Sequence, residues 1–315
     1  VVFAADEDGK VVALSADKGK RLWRVDVDKP LSAGPGLAGD MVLVGTHDGE
    51  VLALDRRDGS QRWAIQLSGE VLAPPGGDGN IVVVRCFDGR IYGLAADSGQ
   101  RLWVQQTAVP TLSLRGVGGP VIVAGRVLVG LDNGKVLAID AVTGQPVWES
   151  VVSVPVGRTE LERLVDVDAE PLEIDGTVYA VSYAGDMTAF DLARGQTLWR
   201  AEVASITGIA GFLDWLFVSS RDGAVIAIDR NNGDILWEQK ALLYRELSRP
   251  VIHNGLVAVA DLDGYVHWLS PQNGQILGRD RPVKERVSTP PVVADRQLYL
   301  RADDGRLTAV VVKTR

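Results

Sequence analysis

Apolar residues fall along this chain in short alternating runs, each broken by a polar–glycine pair, and the same order of runs keeps returning. Met41-Val42-Leu43-Val44, then Asp48-Gly49, then Val51-Leu52-Ala53-Leu54 is a representative stretch. An Asx-Gly pair between two apolar runs predicts a β-hairpin, because both central turn residues need positive φ. A second glycine follows, as at Gly59, and then a tryptophan, Trp63. The first glycine and the tryptophan recur as Gly9 and Trp23, Gly89 and Trp103, Gly134 and Trp148, Gly185 and Trp199, and Gly223 and Trp237. A seventh copy runs from Gly264 but has Gly278 in the tryptophan slot, which predicts one weakened contact between units. An eighth begins at Asp304-Gly305.

The spacing is strict: 14 residues separate glycine from tryptophan slot in all seven complete copies. A proline stands 14 residues before the first glycine at Pro35, Pro75, Pro120, Pro171, Pro250 and Pro291, and Ile209 takes its place in the sixth copy. Proline at the first residue of an innermost strand costs no ladder donor. Each unit therefore reads as four short antiparallel strands, and such units at roughly 40-residue intervals are the β-propeller pattern. The expected fold is all-β, an eight-bladed propeller forming one domain over residues 1–315. The tryptophans are expected to wedge against the adjacent blade. The register starts at a second strand and stops after a third. The first and last blades are thus expected to be incomplete, with an upstream stretch supplying the missing outer and inner strands and closing the ring.

Length varies in one place, between the tryptophan slot and the next proline. The spans are 12, 12, 17, 23, 10, 13 and 13 residues, so the third and fourth are long. Connectors of this kind leave a propeller on one face, so two long ones from adjacent blades are expected side by side. Insertions in a repeat scaffold tend to mark its binding face. The first long connector carries Leu112-Ser113-Leu114-Arg115-Gly116, arginine beside apolar anchors, which is a hot-spot composition. The second carries Thr159-Glu160-Leu161-Glu162-Arg163-Leu164 and then Asp166-Val167-Asp168. Its apolar positions Leu161, Leu164, Val165 and Val167 suit a short amphipathic turn, and its acids suit a basic partner. The alternative is that the two loops pack on each other, with Arg115 paired to Asp166 or Asp168.

Composition narrows the function. A net charge of −8 argues against nucleic acid as a partner. No apolar run reaches the roughly 18 residues that span a bilayer, and the residues after Val1 to Ala5 are too acidic for a signal peptide. The single cysteine, Cys86, lies in an apolar run and reads as a small buried hydrophobe; cysteine scarcity fits an oxidising compartment. His47, His253 and His267 lie in different units without metal-ligand spacing. Asp166-Val167-Asp168 lacks the glycine and closing glutamate of a calcium loop. No nucleophile elbow, phosphate loop or dinucleotide fingerprint is present. The sequence predicts no catalytic residue, no cofactor and no metal.

The unit Ala138-Ile139-Asp140 to Gly144 and Trp148 resembles the repeat of quinoprotein propellers. The dehydrogenases of that superfamily use a vicinal disulfide over their cofactor, which one cysteine cannot make. Within it, the two loop motifs and Gly264-Tyr265-Val266-His267-Trp268 resemble the BamB family, lipoprotein subunits of the outer-membrane β-barrel assembly machinery. The resemblance implies contacts from Leu112, Leu114, Arg115, Asp166 and Asp168 to the periplasmic POTRA domains of BamA, with nascent outer-membrane proteins as a further partner. It also implies an upstream lipidated cysteine at the periplasmic face of the outer membrane. Two other functions compete with this scaffold role: a quinoprotein-type enzyme, and a general periplasmic chaperone that binds unfolded strands by edge pairing.

Overall fold

The computed structural model describes residues 1–114 and 118–312. Among the described residues there is no helix. The strands form eight antiparallel sheets, six of four strands and two of three, the eight blades of a β-propeller. Within each sheet, neighbours in sequence are neighbours in space. The chain divides into two compact units, Val1–Asp166 and Val167–Arg315.

The first unit holds blades one to four. Blade two shows the plan: Leu31–Ala38, Met41–Thr46, Glu50–Asp55 and Gln61–Gln66. Every residue of Met41–Thr46 is buried, because both sheet faces are covered, whereas in Gln61–Gln66 only Trp63 is. The slot tryptophans of blades one to three each reach the next blade. The indole Nε1 of Trp23 donates to the Arg56 carbonyl (3.1 Å), that of Trp63 to Ala96 (2.8 Å) and that of Trp103 to Ala141 (2.9 Å). A buried indole N–H needs such an acceptor. The ring itself lies on the next blade's second turn: a Cβ on Gly59 would sit 2.8 Å from the Trp23 ring, and one on Gly99 2.7 Å from that of Trp63. The second-turn glycine and the tryptophan are therefore the two halves of one contact between successive blades.

Pro75 and Pro120 immediately precede the inner strands Gly76–Gly77 and Val121–Val123, where no ladder donor is lost. Blade one has three strands, Val2–Ala5, Lys10–Leu14 and Arg21–Asp26, in the second, third and outer positions that the repeat register assigns. The connectors between blades begin on the hairpin side: Leu67, Thr107 and Val152 each donate their amide to the hairpin glycine of their own blade, at Gly49, Gly89 and Gly134.

The second unit holds blades five to eight. Trp199 and Trp237 repeat the bridge, donating to the carbonyls of Arg230 (2.9 Å) and Pro271 (2.8 Å). Blade seven corrects the expectation of a weakened contact at Gly278. In blade six an alanine on the third strand faces the tryptophan, Ala227 opposite Trp237; in blade seven the pair is reversed, with Trp268 opposite Gly278. The indole has moved one strand inward and is only 6% exposed, among Val283, Val287, Leu298 and Leu300. Its Nε1 donates to His253 Nδ1 (3.0 Å), and His253 Nε2 in turn donates to the Arg296 carbonyl (3.0 Å). Because an indole can only donate, these bonds fix His253 as the neutral Nε2-protonated tautomer. Blade eight has three strands, Val292–Ala294, Gln297–Arg301 and Leu307–Val310.

Candidate partner-binding site

The two long connectors follow the outer strands Arg101–Gln106 and Pro146–Val151 of blades three and four. The first is anchored at its start, where the amide and hydroxyl of Thr107 both donate to the Gly89 carbonyl (2.9 and 2.8 Å). The second folds into one helical turn closed by a capping box. The Glu162 carboxylate accepts from the amides of Arg158 (2.7 Å) and Thr159 (3.2 Å), while the Thr159 hydroxyl accepts from the Glu162 amide (3.2 Å). The two amide donors hold the Glu162 carboxyl below its usual range. Leu164 and Val165 turn inward, and Val165 lies over the hairpin glycine Gly134.

The expectation of adjacent connectors holds within the first unit. The Leu114 amide donates to Asp166 Oδ2 at 2.5 Å, which ties the backbone of the first loop to the end of the second. Leu112 and Leu114 nevertheless remain 43% and 39% exposed, and Leu161 on the helical turn is 66% exposed. Val109, Val154 and Val156 on the same connectors are exposed as well. Loop-on-loop packing and an outward apolar surface, which the sequence left as alternatives, coexist: the backbones meet and the side chains point out.

Asp166 lies beneath this surface. Asp166 is 1% exposed and Asp168, at the start of the second unit, is buried too, so neither presents a carboxylate to solvent. Asp166 Oδ1 has no hydrogen-bond partner among the described residues. Burial pushes the Asp166 carboxyl above its ordinary range; the Leu114 amide opposes the shift, nearby Asp132 adds to it and Arg85 offsets it. Arg115 lies outside the described residues. Sequence reasoning missed Arg85, which ends the otherwise apolar strand Ile81–Arg85, is 5% exposed and is ion-paired to Asp132. An arginine closing a run of buried residues was the available signal. The capping box was equally legible as Thr159-x-x-Glu162.

The remaining chemistry-bearing residues are structural. His47 bonds Glu70 at the surface, and His253 and His267 are buried in hydrogen bonds. Cys86 is buried, and burial pushes its thiol up to about 12, which keeps it an unreactive hydrophobe.

Fold and site together define a class first: a propeller with quinoprotein-like repeats, distinguished by an apolar surface on two long connectors. Residues 7–239 match the family model described as outer membrane protein assembly factor BamB, and the chain belongs to this family. The assembly factor BamB of Alkalilimnicola ehrlichii is 51% identical over 309 residues, which cover 98% of this chain and 81% of that one. That of Pseudomonas aeruginosa is 49% identical, covering 99% and 82%. The crystal structure of BamB from Moraxella catarrhalis superposes with a TM-score of 0.92 at 35% identity, covering 98% of this chain and 92% of that one. A europium-containing methanol dehydrogenase, at 13% identity and a TM-score of 0.75, shares the fold alone.

Proposed function

We propose that this chain is a scaffold subunit of the machinery that assembles outer-membrane proteins. As one propeller domain it docks onto the POTRA domains of BamA at the periplasmic face of the outer membrane, where an upstream lipid anchor holds it, and so assists folding and insertion of nascent barrels. The observation that carries this reading is the pair of loop leucines, Leu112 and Leu114, held outward while the backbone between the loops is tied down at Asp166. Exposed apolar anchors on a fixed frame lose little conformational entropy on docking. Leu112, Leu114 and Arg115 supply the contacts. Asp166 acts from beneath as a positioning residue through the Leu114 amide, and the buried Asp168 supplies no surface contact.

The test is the affinity of the whole chain for isolated POTRA domains, measured by calorimetry. Leu114→Ala should weaken binding by about tenfold or more while moving stability by less than ~0.5 kcal/mol, because the side chain is half out of the protein. Unchanged affinity removes Leu114 from the interface. A large loss of stability assigns it to loop packing instead.

A further inference from the structure

The outer hairpin of blade seven carries an arrangement that the loop surface does not use. Three guanidinium groups surround one ring: the Cζ atoms of Arg281, Arg279 and Arg245 lie 5.2, 5.4 and 5.8 Å from the centroid of Tyr265. The strand register produces this. Val266 faces Asp280 and His267 faces Arg279, so Tyr265 and His267 share one face of the hairpin with Arg281 and Arg279. Asp280, between the two arginines, points to the other face. Arg245 reaches in from the connector that follows blade six.

Two of the three guanidiniums are fixed. Arg245 is held by Asp261 (2.7 Å) and Asp263 (2.9 Å), and Arg281 by the carbonyls of Asp263 (2.9 Å) and Lys284 (3.2 Å). The one fully buried acid there, Asp261, is saturated from inside by His267, Arg245 and two amides, so its charge is turned away from the surface. Arg279 is exposed and makes no hydrogen bond or ion pair among the described residues, and neither does the Tyr265 hydroxyl. The Arg281 guanidinium bonds only carbonyl oxygens there, although its amide donates to Asp280 Oδ1 (2.8 Å). In a chain of net charge −8, this face concentrates cations whose own acids are already engaged.

We propose that the Tyr265–Arg279–Arg281 face of blade seven is a second docking surface, and that its occupant is an extended acidic peptide segment with carboxylates two residues apart. Alternate side chains of an extended chain lie on one side roughly 7 Å apart, the spacing at which Arg279 and Arg281 themselves stand. A held guanidinium offers the planar fork that a carboxylate accepts in bidentate fashion, and tyrosine beside arginine is the composition of an interface centre. Arg281, held in place by two carbonyls on a sheet face, suits a peptide carboxylate better than a lipid surface, which recruits flexible cations.

The experiment titrates the whole chain into a fluorescein-labelled peptide carrying two glutamates in alternate positions of a threonine–valine background, followed by anisotropy. Binding should saturate, weaken as salt rises, and fall about tenfold or more when glutamine replaces the peptide's glutamates or when Arg279→Gln and Arg281→Gln are combined. Arg279→Gln alone, at a residue without polar partners, should keep the thermal midpoint and still weaken binding. Leu114→Ala should leave this affinity untouched, which separates the surface from the loop site. The proposal is overturned if the doubly substituted chain binds the peptide as well as the parent, or if no saturable binding is seen. It is equally overturned if the arginine substitutions abolish association with phosphatidylglycerol vesicles while peptide binding is unchanged.

Discussion

Asp166 and Asp261 are both buried carboxylates beside a hairpin turn, one in each unit, and they titrate in opposite directions. Asp261 receives four donors: His267 Nε2 (2.8 Å), Arg245 Nε (2.7 Å) and the amides of Asp263 and Tyr265 (3.0 Å each). Burial alone would push its carboxyl up, but these donors outweigh burial and bring it to about 2. Asp166 receives one strong donor, the Leu114 amide, and burial prevails. Depth does not decide the sign; the number of donors committed to the charged form does. The saturated acid locks a hairpin, whereas the under-supplied one holds a loop that has apolar side chains to present.

The largest effect that would break this contrast is removal of the saturated acid. Asp261→Ala leaves His267 and Arg245 without their shared acceptor and should cost about 3–5 kcal/mol in urea unfolding. A loss below ~1 kcal/mol would mean that the network adds nothing net. Next comes acid titration of stability. Asp261 is depressed from 3.8 to about 2, so its contribution of roughly 2 kcal/mol is present above pH ~4 and fades as pH falls through about 2. Asp166 is shifted upward, so its ionised form is penalised in the folded state, and lowering the pH relieves that penalty. In Asp166→Asn the compensating limb disappears, and the fall of stability on acidification should steepen. The smallest effect sharpens the comparison. At neutral pH Asp166→Asn, which still offers the Leu114 amide an oxygen, should be neutral within ~0.5 kcal/mol, while Asp166→Ala should cost about 1–2 kcal/mol. Hydrogen exchange at the Leu114 amide reads the difference directly: protection is expected to survive in the first variant and vanish in the second.

The blade plan was legible because each of its parts has a local chemical cause. Asx-Gly turns mark the hairpins, the proline marks the inner strand, and the second glycine and the tryptophan report one repeated contact, in which Trp63 rests on Gly99 just as Trp23 rests on Gly59. The adjacency of the long connectors followed from that plan. What the sequence did not yield depends on contacts far apart in the chain. Nothing near Asp166 says that it is buried, because its donor, Leu114, lies 52 residues away. Nor does Gly278 alone disclose that Trp268 occupies the space opposite, since the repeat template looks for the indole on the outer strand only. The Tyr265–Arg279–Arg281 face escaped for the same reason: its members look like ordinary surface residues until the hairpin register lines them up.

The reversed pair in blade seven gives its two positions unequal freedom. Trp268 is the buried bulk of that layer, so a small residue at both positions would leave a void. At Gly278, by contrast, a Cβ would meet nothing within 4 Å. Position 278 is therefore free to drift, whereas position 268 has to keep its indole until another residue takes over the space.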